Sequence, residues 1–166
     1  MSSSTRAAEA RIGLKLNSLV DARCIRALYE ASQAGVPVDI NVRGICCLRA
    51  GVPGVSDNIR VISVVGRFLE HARIYGFRRG DERGYWMGSA DLMPRNLDTR
   101  VELLTPIEDP ALQQEVADTL ARDFADDTFA WELHDESWRR RRGDTRSAHR
   151  ELMERALEAS AEQTIV

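Results

Sequence analysis

Lysine is almost missing from this chain. Lys15 is the one lysine, so nearly all positive charge is carried by arginine. Arginine offers phosphate a planar two-point contact that lysine does not, although a chain-wide arginine bias equally reflects genome composition. Cysteine is scarce too. Cys24, Cys46 and Cys47 form no Cys-x-x-Cys pair and the adjacent Cys46 and Cys47 do not readily bridge each other, which excludes a disulfide framework and points to reduced thiols in a cytoplasmic protein. There is no zinc spacing and no Gly-x-x-x-x-Gly-Lys-[Ser/Thr] phosphate loop. Long hydrophobic runs are absent as well: residues 59–69 are broken by Arg60 and Arg67 and are too short to span a bilayer. Met1-Ser-Ser-Ser-Thr-Arg6 has no apolar signal core, so a soluble protein with no membrane span is expected. Trp86, Trp131 and Trp138 do not interleave with basic residues, which argues against a single-strand nucleic-acid platform and any specific nucleic-acid partner.

What remains is a chain of 166 residues, 43% apolar, enough for one domain with a real core. Residues 1–10 read as a polar leader, 11–133 as the folded domain, and 134–166 as a charged linker with a short C-terminal helix. Ile12 to Leu19 alternates apolar and polar side chains like a strand. Asp21 is placed to cap a helix carrying Ile25, Leu28 and Ala31, and Gly35 to end it. Val36 to Val42 is a second strand, so the two are expected to be parallel neighbours with a right-handed crossover. Residues 48–56 read as a loop, and 59–65 as a strand or a short buried helix. A hairpin is expected around Arg79-Gly-Asp-Glu82 and a strand over 100–104. Asp109 and Pro110 start a helix whose Leu112, Val116, Leu120 and Phe124 form one side. The fold class is therefore α/β, a mixed β-sheet flanked by helices.

The most informative stretch is 67–102. It holds Arg67-x-Leu-Glu-His71, then Arg73, then Gly88-Ser-Ala-Asp-Leu-Met-Pro-Arg-Asn96, and Glu102. Their order and spacing resemble a half-site of the phospholipase D superfamily, His-x-Lys on a strand followed by Gly-Ser-x-Asn, with Arg73 in place of lysine and Asp91 in place of asparagine. Together with Lys15-Leu-Asn17, Leu28-Tyr-Glu-Ala-Ser32, Val42-Arg-Gly-Ile-Cys46, Ser56-Asp-Asn58 and Asn96-Leu-Asp98, they resemble one branch, the C-terminal catalytic subdomain of bacterial polyphosphate kinase. The similarity runs from about Ile12 to Leu133 and implies one phospholipase D-like half-unit.

That resemblance implies reversible transfer of the terminal phosphoryl group of ATP to inorganic polyphosphate, with Mg²⁺ as cofactor and polyphosphate and ATP/ADP as partners. The family's nucleotide-binding N-terminal domain and the histidine that becomes phosphorylated are not in this sequence. Activity is thus expected to be incomplete without those domains or a second copy of the chain. His71 matches the second family histidine, a general acid or phosphate contact. Arg43 resembles the arginine that binds nucleotide or polyphosphate oxygens, its alternative being an ion pair with Asp39 or Glu70. Arg73, Ser89 and Arg95 are expected at phosphate.

Ser89 and Asp91 are read as sharing a strand face. Asp91 either orients His71 or Arg95, helps hold Mg²⁺ through water, or caps a helix over 92–96. Glu102 is expected to accept from the second ring nitrogen of His71 and so fix its tautomer. No metal ligand is assigned. His134 and His149 read as surface residues, and Arg139 to Arg142 as a solvated run. If this reading is right, His71 lies at the C-terminal edge of the sheet beside Arg43, Ser89 and Asp91, partly exposed. The rival readings are a homodimeric phospholipase D-like phosphodiesterase and a non-catalytic polyphosphate-binding module.

Overall fold

The computed structural model describes residues 10–163; the leader over 1–9 lies outside them. An eight-stranded sheet runs in the order β6-β5-β4-β1-β2-β3-β7-β8. Its strands are β1 (Ala10–Leu16), β2 (Val38–Val42), β3 (Ile59–Val64), β4 (Arg73–Arg79), β5 (Glu82–Gly88), β6 (Leu104–Ile107), β7 (Ala130–His134) and β8 (Ser137–Arg140). β1, β2 and β3 are parallel and every other pairing is antiparallel. The sheet is mixed, as expected.

Helix α1 (Ala22–Gln33) forms the crossover from β1 to β2. The Asp21 side chain accepts from the amides of Arg23 and Cys24, a cap that stabilises a helix by about 1 kcal/mol. Gly35 takes φ +82° just past the helix end, a conformation that costs glycine little. Ile25, Leu28 and Tyr29 of α1 pack on Leu14, Leu16, Val38, Ile40, Val42 and Val61 to form the main core. The burial of each such aliphatic side chain contributes about 1.5–3 kcal/mol.

Helix α2 (Pro110–Ala125) covers the opposite face of the sheet, with Asp109 accepting from the amides of Ala111 and Leu112. That face is unusually polar for an interior. Lys15, Asp39 and Asn41 are buried on it, along with Asp123 of α2. Leu120 is buried against the sheet, but Leu112, expected on the same side, is 54% exposed.

Three elements differ from the sequence reading. The strand expected over 100–104 begins at Leu104, where pairing with Gly88 starts. Gly88 permits this close approach, since a Cβ there would meet the Leu103 carbonyl oxygen at 2.5 Å. His71 lies in an irregular segment two residues before β4, not on the strand.

The largest difference lies in residues 134–166. In place of a linker, β8 pairs with β7, Trp138 packs against the main core, and α3 (Ala148–Gln163) contacts α2. Asp126 organises this turn. Its carboxylate accepts from the amides of Thr128, Phe129 and Ala130 and, through the other oxygen, from that of Ala148. The charged run is not simply solvated either, because Arg141 donates to Glu132 and to the carbonyls of Phe124 and Asp126. Arg140 likewise donates to the Thr128 carbonyl, so two arginines of the four are drawn to protein acceptors, which composition does not foretell.

Candidate functional site

The candidate site is built at the C-terminal ends of β1 and β2. Arg43 follows β2 directly, and its amide donates to the Leu16 carbonyl while that of Gly44 donates to Asn17. Gly44 is required here: a Cβ would come within 2.7 Å of the Asn17 carbonyl oxygen. The chain turns sharply, and the Arg43 guanidinium reaches the exposed His71, with Nη2 at 3.1 Å from Nδ1. The ion pairs considered for Arg43 do not form. Asp39 is engaged by Arg11 and Arg60, and Glu70 by Lys15.

A guanidinium has donors only. His71 Nδ1 must therefore accept, and the ring proton of the neutral imidazole sits on Nε2. The tautomer is thus set by Arg43 and not by Glu102. The Glu102 carboxylate is held by Ser89 Oγ and by Asn96 Nδ2, and Ser89 also accepts from the Leu103 amide. This corrects the expected Glu102 contact with His71: the bend at Ser89, beyond the end of β5, turns the hydroxyl onto residues 102–103. For the same reason Ser89 and Asp91 do not share a strand face.

Arg73 and Asp91 act from beneath. Arg73 donates through Nη1 to the His71 carbonyl at 3.0 Å and through Nη2 to Asp91 at 2.8 Å. Its side chain is only 13% exposed, so it faces inward and supports the backbone of His71. Asp91 also accepts from the amides of Asn17 and Ser18, at 2.7 and 3.1 Å. It ties the end of β1 to the start of β4 and is not a helix cap; the only helical turn nearby is the π-helical Arg95–Thr99. Arg95 is exposed there, and no hydrogen bond or ion pair among the described residues joins its side chain to His71. The structure thus links His71, Arg43, Arg73 and Asp91, sets Ser89 and Glu102 as a separate pair, and leaves Arg95 apart.

Burial alone would raise the Asp91 carboxyl, but Arg73 and the two amides outweigh it and hold the group below its ordinary range. A carboxylate with a depressed folded pKa stabilises above its unfolded value, about 3.9, and loses that contribution as pH falls through the lower folded value. Asp91→Asn is expected to lower unfolding free energy by about 2–3 kcal/mol at pH 7, typical of lost hydrogen bonds to a charged group. Urea titrations should show the gap from wild type shrinking below about pH 4.

A second network lies under Arg43 and escaped the sequence reading. Lys15, almost sealed from solvent, binds Asp123 and Glu70, and Asn41 Nδ2 donates to Asp123 at 3.1 Å. Lys15, Asn41, Arg43 and Glu70 line a small crevice beside His71. His149, expected at the surface, is 3% exposed. It accepts from the Phe68 amide at Nδ1 and lies 3.5 Å from Glu70, so α3 clamps the segment that carries His71. The available signals were the solitary lysine in an inward strand position and an acidic Asp123 on the apolar side of α2.

The Mg²⁺ implied by the family resemblance does not fit a resident site here. Among the described residues no three His, Cys, Asp or Glu side chains gather to hold a metal. The two carboxylates predicted for the site, Asp91 and Glu102, each have both oxygens engaged by protein donors.

Comparison with known proteins shows the family and the fold. Residues 1–152 match the family described as "Polyphosphate kinase C-terminal domain 2". The chain is 55% identical over 153 residues to a polyphosphate kinase of Thermosynechococcus vestitus, covering 89% of this chain and 21% of the relative. It is also 55% identical to the Pseudomonas aeruginosa polyphosphate kinase, covering 75% of this chain and 18% of that one. It spans about a fifth of the length of these relatives. Among solved structures, polyphosphate kinase from Porphyromonas gingivalis superposes with a TM-score of 0.86 at 36% identity, over 93% of this chain and 24% of that one. Nuc, a phospholipase D family member from Salmonella typhimurium, shares the fold alone, with a TM-score of 0.57 at 14% identity over 75% of this chain and 82% of its own.

Proposed function

The chain belongs to the polyphosphate kinase family as its C-terminal domain, and on that premise we propose that it supplies one half of a phosphoryl-transfer site acting between ATP and inorganic polyphosphate. The observation that carries this is the Arg43 to His71 contact. It leaves the Nε2–H of the exposed imidazole free to donate a hydrogen bond and sets a permanent positive charge next to it. The pairing suits a site where negative charge on phosphoryl and leaving oxygens must be stabilised.

In this reading the Nε2–H of His71 donates a hydrogen bond to the leaving oxygen, keeping its proton, and Arg43 faces the phosphoryl oxygens. Arg73 and Asp91 hold the His71 backbone, so both are positioning residues. Ser89 and Arg95 remain candidates for more distant phosphates of an extended substrate. Mg²⁺ is placed with the nucleotide as part of the substrate, and no step is routed through it.

A histidine performs one task at a time, so the nucleophile comes from a complementary half in the longer enzyme. Exposed apolar side chains next to the site support such a cover: Ile45, Val65 and Phe68, and Leu69 at 87% exposure. No described helix is long and apolar enough to cross a membrane, and three free thiols favour a cytoplasmic setting.

The purified chain, incubated with labelled ATP, Mg²⁺ and a polyphosphate primer, is expected to give no sustained elongation. Elongation by the pure chain would overturn the half-site reading. Dimer-linked hydrolysis of a phosphodiester would favour the two-copy nuclease alternative, and binding without turnover in any context would leave a non-catalytic module.

A further inference from the structure

Three arginines stand in register across adjacent strands at the end of the sheet remote from His71. Arg11 of β1 is paired with Arg78 of β4, and Arg78 with Arg83 of β5. Paired residues of an antiparallel ladder project to one face, and residues two apart on a strand share that face. Arg11 is two residues before Gly13, where a Cβ would point at Leu120 of α2, and four before Lys15, which binds Asp123 of α2. All three guanidiniums therefore belong to the α2 face. They line a single cleft of about 590 Å³ between sheet and helix, together with Arg60, Gln114 and Asp118.

The protein does not neutralise this row. Asp39 is shared by two cations, accepting from Arg11 Nε at 3.1 Å and Arg60 Nε at 2.7 Å. Asp118 is engaged by Gln114. Arg78 reaches only the Gly80 carbonyl, and Arg83 has no hydrogen-bond or ion-pair partner among the described residues. Among the described residues, four arginines thus face two carboxylates. Like charges directly opposite in a sheet are destabilising, so a fold that keeps three in a row on one open face carries a cost that an anion would offset.

We propose that this row is a second anion site, separate from His71, that binds the extended chain of a condensed phosphate. Strands lie about 4.8 Å apart, so three in-register guanidiniums present charge along a line of roughly 10 Å. A linear oligophosphate carries oxyanions all along its length and can engage the whole row, whereas a single orthophosphate meets two arginines at most. The planar guanidinium fork suits each phosphoryl group. Arg78 lies five residues along β4 from Arg73, roughly 17 Å at strand rise, and His71 lies beyond the other end of that strand, so one group cannot serve both sites. The proposal does not depend on the role assigned to His71. The free inorganic chain and the phosphate tail of a nucleoside triphosphate share this chemistry.

The test uses the full chain, labelled with ¹⁵N and titrated with inorganic tripolyphosphate, ATP and adenosine at low and raised salt. Tripolyphosphate should shift the amides around 78–83, with an affinity that falls as salt rises. The double variant Arg78→Gln, Arg83→Gln should weaken that local response at least tenfold, and Arg43→Gln should leave it unchanged. Without ligand, the double variant should melt no lower than wild type, because removing like charges relieves repulsion. Equal binding of ATP and tripolyphosphate with none for adenosine supports recognition of the phosphate chain through either source. A response to ATP without one to tripolyphosphate, amides at 78–83 that do not move, or a double variant that binds as wild type would each overturn the proposal. So would a marked drop in its melting temperature without ligand, which would make the arginines structural.

Discussion

His71→Ala is expected to lower polyphosphate synthesis by about 10²–10³-fold, the usual cost of removing one positioned donor to developing negative charge. The assay places this chain in a full-length relative, in exchange for the corresponding segment of the Thermosynechococcus vestitus polyphosphate kinase, to which it is 55% identical. That context supplies whatever the isolated domain needs from the rest of the enzyme. Arg43→Lys is the informative companion. It keeps a positive charge but loses the planar fork that meets His71 Nδ1 at 3.1 Å, so it should depress the rate and also alter the pH–rate profile through the freed imidazole. A His71→Ala chimera that retains the wild-type rate would remove His71 from the chemistry and leave Arg43 as a binding residue only.

The second large effect concerns stability. Lys15→Met is expected to lower unfolding free energy by about 3–5 kcal/mol at pH 7, the cost of leaving one partner of a buried ion pair alone. Lys15 loses water on burial, yet Asp123 and Glu70 flank it and keep it charged. Once Lys15 is gone, burial pushes the Asp123 carboxyl up with less to oppose it. A group whose folded pKa is raised carries its penalty at high pH and sheds it below its unfolded value, so the defect of Lys15→Met should shrink as the pH falls towards 4. The double variant Lys15→Met, Asp123→Leu should recover most of the loss, since well-packed apolar pairs replace buried ion pairs at little cost. Guanidinium chloride unfolding across pH measures all three. A defect that stays constant with pH would show that Asp123 remains ionised without Lys15.

Glu70 connects the two results. It binds Lys15 and sits one residue before His71, so the buried network that holds α2 on the sheet also anchors the segment that carries His71. His149 of α3 adds the Phe68 contact from the other side. Loss of Lys15 should therefore blunt activity as well as stability, even where the variant is folded.

Read along the chain, the local signals were reliable. Alternation marked β1, Asp21 and Gly35 bracketed α1, Asp109 with Pro110 opened α2, and the parallel β1–β2 pairing followed from a strand, a helix and a strand in succession. Each rests on forces acting within a few residues: side-chain periodicity, capping of free amides, and the left-handed freedom of glycine. His71, Arg73 and Asp91 stood out because their types and spacing resemble a known half-site, and Arg43 because residues 42–46 resemble a polyphosphate kinase motif; the structure joins these four by hydrogen bonds.

What the chain alone did not reveal depends on partners distant in sequence. His71 stands beside Arg43 because Gly44 turns the chain after β2, and its carbonyl is held by Arg73, which also binds Asp91. Ser89 belongs to Glu102 because the bend after β5 aims it there. Residues 137–140 became β8 only because β7 offered an open edge and the main core had room for Trp138. His149 was carried inward by a helix whose first amide Asp126 captures. The sequence by itself determined the helices, the parallel core strands and the list of chemically capable side chains, since those follow from local propensity and residue type. Only the tertiary structure decided which charges meet, which nitrogen of His71 holds its proton, and which arginines are left unpaired, because those depend on strand register and on burial, which bring residues distant in sequence within hydrogen-bond reach.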